Sequence, residues 1–291
     1  MKRVLITGCN GQVGFCLTEM LAGKVELLAL DRHALDITNK KDVFEIVTEF
    51  KPDYLLNAAA YTAVDQAEID VDLAFSINHK GPMNLAEASE SVGATMLHIS
   101  TDYVFKGDAL EPYSEKDKVE PKGVYGKSKL EGEKAVAEYC EKHLILRTAW
   151  VFGGHGNNFV KTMLRLSRDR NEISIVSDQF GGPTYAGDIA QALISIIEYI
   201  DAGNTPEWGV YHFSGEPYVS WFEFANSIFK SAVDAKLLDK MPVLKPISSA
   251  EFLTKADRPS NSRLNCQKIH KQFNVPPSDW LLEIKNIKSY W

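Results

Sequence analysis

The sequence predicts an α/β protein, a doubly wound parallel sheet carrying a smaller, partly discontinuous second region. Three observations predict it. A short aliphatic strand, Val4-Leu5-Ile6-Thr7, runs directly into glycines at Gly8, Gly11 and Gly14. Apolar strand candidates then alternate with segments of helical period as far as Trp150. Beyond Trp150 the alternation loosens into glycine-rich and polar stretches. A strand entering a glycine turn that opens a helix is the start of a Rossmann-type dinucleotide fold.

The elements follow in order. Gly8 allows a sharp exit from the first strand, Gly11 removes a side chain where backbone approaches a pyrophosphate, and Gly14 permits close helix–strand packing. The free N–H groups of the new helix, with Gln12 and Val13 in its first turn, suit an anionic ligand. Further strands are expected at Glu26–Leu30, Tyr54–Asn57, Thr95–Ser100 and Leu144–Arg147, with helical period over Lys40–Phe50, Ala74–Val92 and Ser128–Val136. Near-continuous apolar strands between amphipathic helices imply a sheet covered on both faces. Residues 1–150 are therefore read as a dinucleotide-binding domain, with returns to it near 172–200 through a strand at Ile173–Val176 and a helix at Ile189–Ile200. Residues 151–291 are read mainly as a second ligand-binding region.

Composition narrows the partners. With 45% hydrophobic and 24% charged residues the chain falls in the globular range. A net charge of −7 argues against nucleic acid, whose phosphates demand clustered Lys and Arg. The cysteines Cys9, Cys16, Cys140 and Cys266 lack C-x-x-C spacing and read as buried thiols of a reducing compartment. The seven histidines are scattered, with no metal-ligand spacing. The chain opens on a strand and no apolar run reaches membrane-spanning length, so no membrane is expected and cytoplasm is the expected compartment.

The chemistry-bearing residues cluster at the carboxyl ends of the predicted strands, where ligands bind on such sheets. Asp31 ends the second strand and can accept from adenosine ribose hydroxyls, which favours NADH. Its neighbour Arg32 offers a guanidinium to the 2′-phosphate of NADPH, so the choice stays open. Tyr125 and Lys129 stand four apart at the start of a helix and share a face. Of eleven tyrosines, only Tyr125 has a lysine at that spacing. A nearby ammonium would lower the tyrosine pKa, and such a tyrosine can protonate a carbonyl oxygen. Thr101, at the end of the fourth strand, can hydrogen-bond the same oxygen. Trp150 offers a flat apolar wall, and Asn158, Arg258 and Arg263 offer donors to phosphate or sugar oxygens.

Gly11-Gln12-Val13-Gly14, Asn57 through Asp65, Ser100-Thr101-Asp102-Tyr103-Val104-Phe105, Arg147 through Phe152, Gly156-Asn157-Asn158-Phe159 and Arg258 through Leu264 resemble, in this order, the dTDP-4-dehydrorhamnose reductases. These are extended short-chain dehydrogenase/reductases. The resemblance implies that Gly8, Gly11, Gln12, Val13, Gly14, Asp31, Ala60, Tyr61 and Thr62 contact the cofactor, with Asp36 and Ile37 flanking the adenine. It makes Tyr125 the proton donor and Lys129 the holder of the nicotinamide ribose. Thr101, Asp102 and Trp150 would line the sugar site. The implied reaction is NADPH- or NADH-dependent reduction of the 4-keto group of dTDP-4-dehydro-6-deoxy-L-mannose, by a monomer or homodimer. Some relatives are associated with magnesium, for which no carboxylate cage is legible here.

Two other readings stand beside this one. A nucleotide-sugar epimerase or dehydratase of the same superfamily would share most motifs. Tyr103, however, occupies the position after Asp102 where a dehydratase would want a second acid. A non-catalytic regulatory subunit similar to the β subunit of methionine adenosyltransferase would share the fold, and the intact Thr101, Tyr125 and Lys129 weigh against it.

Overall fold

A computed structural model describes all 291 residues. The chain begins with β1 (Arg3–Thr7), α1 (Gln12–Leu21), β2 (Glu26–Leu30), α2 (Lys40–Phe50) and β3 (Tyr54–Asn57). Two short helices, α3 (Val64–Ala67) and α4 (Val71–Phe75), lead through a π-helical turn at Ser76–Lys80 into α5 (Gly81–Val92). Then come β4 (Thr95–Thr101), α6 (Val124–Tyr139) and β5 (His143–Thr148). The expected helix over Ala74–Val92 is thus interrupted. The π turn carries Asn78, whose buried side chain donates to Tyr61 O and Ser128 Oγ and accepts from Tyr61 N. Side-chain bonding to neighbouring segments takes over from the regular helical pattern there.

The rest of the chain divides its elements between two places. Next to β6 (Val151–Phe152) come α7 (Phe159–Asp169), β7 (Glu172–Val176), β8 (Phe180–Gly181), β9 (Thr184–Tyr185) and α8 (Ala186–Asp201). These are followed by β10 (Gly209–His212), β11 (Val219–Ser220), α9 (Trp221–Asp234), β12 (Val243–Ile247), β13 (Asn261–Ser262), α10 (Gln267–Phe273) and α11 (Trp280–Glu283). The main sheet has the order β10-β5-β4-β3-β1-β2, with all its strand pairs parallel. Its sixth strand is β10, which the sequence reading did not anticipate. The strand expected to return at Ile173–Val176 instead pairs with β12 in a separate two-stranded sheet. Strand propensity identifies a strand and not its partner, which accounts for the error. The helix expected at Ile189–Ile200 does return, as α8 packed beside α1.

Alternation along each strand divides the core. Val4, Ile6, Leu56, Leu97 and Leu146 face α1 and α8, while Leu5, Leu55, Met96 and Ile145 face α2 and α5. A third cluster is aromatic and lies apart from the main sheet, around Phe152, Phe224, Phe229, Trp280 and Tyr290. The cysteines are all free, with Cys140 and Cys266 buried and Cys9 and Cys16 partly exposed. No helix is long and apolar enough to cross a membrane.

Candidate active site

The glycine turn is built as a cradle. Gly8 has φ +74°, and a Cβ there would meet Ala59 N at 2.6 Å. A Cβ on Gly14 would lie 2.1 Å from Gly8 O, so α1 can start against the turn only with glycine at both places. No side chain caps the N-terminus of α1 at Gly11. Its first N–H groups therefore remain available to an anion. Asn158 is engaged within the protein. Its amide donates to Gln12 Oε1 (3.0 Å) and Gly153 O (2.7 Å), and its Oδ1 caps α7 by accepting from Lys161 N (3.1 Å). His155 reinforces the same clamp, stacking on Phe15 at 4.2 Å and bonding Asn10 O.

At the tip of β2, Asp31 accepts from His33 N, Ala34 N and Asn10 Nδ2. The backbone N–H of Ala34, then that of His33, hold its carboxyl below the usual range. Arg32 is exposed and makes no ion pair. Asp36 is spent on the Thr38 N–H and hydroxyl, and Ile37 is buried against Gly81. After β3, the Tyr61 hydroxyl donates to Asp70 Oδ2 (2.9 Å), while Ala60 is partly buried and Thr62 exposed.

The polar centre lies where β4 ends and α6 begins. Thr101 Oγ1 donates to Asp102 Oδ1 (3.1 Å) and accepts from Tyr103 N (3.2 Å). Asp102 is 4% exposed, and its Oδ2 has no hydrogen-bond partner. Burial raises this carboxyl to about 6. Tyr125 and Lys129 are both buried on α6. Gly126, between them, lets α6 sit against Tyr103 O, which a Cβ would approach to 2.2 Å.

The shared face is as expected, but the expected charge coupling is not. Burial, chiefly, pushes the Tyr125 phenol well above its ordinary pKa, Thr101 opposes the shift, and Asp102 and Tyr103 add to it. Lys129 Nζ is directed elsewhere, donating to Ile99 O at 2.7 Å and lying 3.4 Å from His98 Nε2. Burial lowers this lysine to about 8. Tyr125 is thus held as a phenol, the form a proton donor needs.

Three further expectations are revised by neighbours the sequence cannot display. Trp150 has φ +50° and its indole is sandwiched. Trp221 stacks on it at 3.5 Å and 12°. A Cβ on Gly181 would fall 2.5–2.9 Å from its Cε2, Nε1 and Cδ2 atoms, over the ring. Both faces are therefore covered, and Trp150 presents an edge instead of a flat wall. Arg258 is paired with Asp65 Oδ2 (2.5 Å) and donates to Tyr103 Oη (3.1 Å), whose ring meets Tyr125 edge-on. Arg263 turns to Asn261 Oδ1 and Leu110 O, holding a loop. The structure thus gathers Thr101, Asp102, Tyr125 and Lys129, with Arg258 linked to them through Tyr103. Asn158 and Arg263 are engaged elsewhere. The sequence reading passed over His98, Asn78 and Trp221; a lone histidine inside the apolar run Thr95–Ser100 was the available signal for the first. No group of three or more His, Cys, Asp or Glu side chains is arranged to hold a metal ion.

Comparison with known proteins gives these residues a context. The family described as RmlD substrate binding domain matches residues 1–289. The dTDP-4-dehydrorhamnose reductase of Aggregatibacter actinomycetemcomitans is 51% identical over 292 residues, covering 100% of this chain and 99% of that protein. The crystal structure of dTDP-4-dehydrorhamnose reductase from Bacillus anthracis str. Ames, in complex with NADP, superposes with a TM-score of 0.90 at 41% identity. It covers 98% of each chain. A UDP-glucose 4-epimerase of Thermus thermophilus, in complex with NAD, has a TM-score of 0.79 at 21% identity, over 99% of this chain and 98% of that one. The epimerase likeness extends to the fold alone. Full-length identity with the reductases goes further, and the chain belongs to the dTDP-4-dehydrorhamnose reductase family.

Proposed function

We propose that this protein uses NADPH or NADH to reduce the 4-keto group of dTDP-4-dehydro-6-deoxy-L-mannose to dTDP-L-rhamnose, the last step of dTDP-rhamnose biosynthesis. The observation that carries the reading is the buried set of Thr101, Asp102, Tyr125 and Lys129 at the end of β4, next to an uncapped dinucleotide-type helix start. The cradle fits a dinucleotide: Gly8, Gly11 and Gly14 keep side chains out of the turn, and no side chain caps the helix start whose first N–H groups include those of Gln12 and Val13. Asp31 and Arg32, after β2, stand where an adenosine ribose would lie, with Ala60, Tyr61 and Thr62 after β3 at the same carboxyl end of the sheet. A nicotinamide bound there supplies the hydride.

This chain's residues do the remaining work. Tyr125 Oη, kept protonated by burial, donates a proton to the C4 oxygen as charge develops on it. The Thr101 hydroxyl stabilises the same oxygen. The buried, unpartnered Oδ2 of Asp102 is the acceptor left for a sugar hydroxyl, and Lys129 donates to the nicotinamide ribose. The reading entails a cytoplasmic enzyme, monomeric or homodimeric, with small-molecule ligands only.

A coupled assay tests it. The upstream dehydratase and epimerase generate the dTDP-4-keto-L-deoxysugar, and nicotinamide absorbance reports its reduction. Consumption of one cofactor per sugar, with dTDP-L-rhamnose as product, is expected. Cofactor that stays bound and cycles without net oxidation would indicate an epimerase instead. No turnover, with capture of a catalytic subunit, would indicate a regulatory role.

A further inference from the structure

A chain of four side chains runs behind the site, and its proton inventory can be read from the donors. Thr7 Oγ1 donates to Asn57 Oδ1 at 2.8 Å, and Ala59 N donates to the same oxygen at 3.1 Å. A backbone N–H can only donate, so the amide of Asn57 is oriented without ambiguity. Its Nδ2 must then be the donor to His98 Nδ1, 2.9 Å away. An imidazole that accepts at Nδ1 carries its proton on Nε2 when neutral. His98 is wholly buried, and burial, with Lys129 next to it, holds its pKa well below the usual value, so it is neutral. Its Nε2–H therefore points at Lys129 Nζ, 3.4 Å away.

That contact is compatible with a neutral amine, whose lone pair accepts. It is donor against donor when Lys129 is an ammonium. Flipping the histidine tautomer only moves the conflict to Asn57 Nδ2. The surroundings give little relief. Lys129 is 2% exposed, and its one hydrogen-bond acceptor is Ile99 O on β4. Tyr125, one turn earlier on α6, is a neutral phenol. Glu133, one turn later, is the carboxylate within range, and it is bound through both oxygens to Arg147 of β5.

We propose that His98 is a positioning residue for Lys129, locked by Asn57 as the Nε2–H tautomer, so that the lysine holds its proton firmly only when a ligand supplies acceptor oxygens. This rests on the reading of Lys129 as the ribose-holding amine. Ribose hydroxyls are such acceptors, so cofactor binding and proton retention at Lys129 reinforce one another. The strand histidine thereby sets the pH above which the cofactor is released.

Two measurements on the full-length protein test this. Nitrogen-15 NMR of the cofactor-free chain, labelled at histidine, is expected to show His98 with a bare Nδ1 and a protonated Nε2 throughout the range from about pH 6 to about pH 9. The opposite tautomer, or titration within that range, would overturn the proposal. The second measurement is the pH dependence of NADPH Kd. His98→Leu removes the opposing donor. Asn57→Asp reverses the tautomer by accepting from Nδ1, so Nε2 can accept from the ammonium. Both are expected to move the high-pH weakening upward by about one unit. A residue with a purely structural role would weaken binding at every pH and leave the midpoint in place, and that result also overturns the proposal. If His98→Leu does not fold, Asn57→Asp and the wild-type spectra still decide. Should no keto-sugar be reduced, the proposed function fails while these readouts stand unaffected.

Discussion

Lys129 and Arg147 are two buried cations that share Glu133 as their nearby carboxylate, and they are treated in opposite ways. Arg147 on β5 is 4% exposed and is gripped by both oxygens of Glu133, at 2.9 and 2.6 Å, with its guanidinium over Phe105. Lys129 on α6 has a carbonyl and a histidine, and no carboxylate of its own. Burying a charge is costly unless a partner compensates it. The arginine is compensated inside the protein, as a structural ion should be. The lysine is left short of acceptors at the end of the sheet where ligands bind. A missing partner at a buried cation is thus a better pointer to function than the burial itself.

The largest test falls on the group that the uncompensated lysine accompanies. Tyr125→Phe is expected to lower kcat on the order of 10²–10⁴-fold, the usual worth of a positioned general acid. NADPH affinity should stay within about threefold, because the phenol meets developing charge only. Retention of more than half the turnover would remove Tyr125 from the donor role.

The comparison itself is broken or kept by a pair of stability measurements. Glu133→Gln leaves Arg147 buried and uncompensated, which is expected to cost about 3–5 kcal/mol. Lys129→Met deletes a cation that has no carboxylate, so urea unfolding should show it as stable as the parent, or more so, while turnover falls. Equal destabilisation by the two would mean that Lys129 is as well compensated as Arg147.

Asp102 gives a smaller effect with a definite sign. Its folded pKa is raised from 3.8 to about 6, so the native state holds a proton that the unfolded chain releases earlier. Its contribution to stability is full below the unfolded value and is lost as pH rises through the folded one, between about 4 and 6. Asp102→Asn should abolish that loss and stabilise the protein above pH 6 by at most about 3 kcal/mol. Parallel stability–pH curves for parent and variant would show that the carboxyl is not desolvated as the geometry indicates.

What could be read from the sequence follows from which interactions are local. Of the five strands Arg3–Thr7 through His143–Thr148, four are legible because they are largely apolar and buried on both faces, and the half-buried edge strand β2 is legible from its unbroken run Leu27-Leu28-Ala29-Leu30. The glycine cradle is legible because only glycine fits it. Strand β10, Gly209-Val210-Tyr211-His212, holds a single aliphatic residue and does not stand out, and β7 has an ordinary strand pattern that names no partner. The π turn at Ser76–Lys80 exists because Asn78 binds Tyr61 and Ser128, both remote in sequence. Tyr125 and Lys129 could be found because a helix brings i and i+4 together. Their electrostatics could not, because burial and His98 decide those. Arg258, Arg263, Asn158 and Trp150 each look available in sequence, and each is engaged by a partner that only folding brings near.

The smallest expected effect concerns Arg32, the counterpart of these engaged residues. It is exposed, has no carboxylate partner, and follows Asp31, whose own oxygens are occupied by His33 N, Ala34 N and Asn10. A guanidinium so placed can meet the 2′-phosphate that distinguishes NADPH from NADH. Solvent screens an exposed contact, so its worth is about 1 kcal/mol, roughly a fivefold change in relative kcat/KM. Arg32→Ala should therefore lower the NADPH-to-NADH ratio by about that factor and leave NADH kinetics unchanged. High salt should shrink the difference between parent and variant, because it screens the same interaction. A ratio indifferent to both the substitution and the salt would return Arg32 to the solvated surface. Cofactor choice would then rest with Asp31 and the loop that holds it.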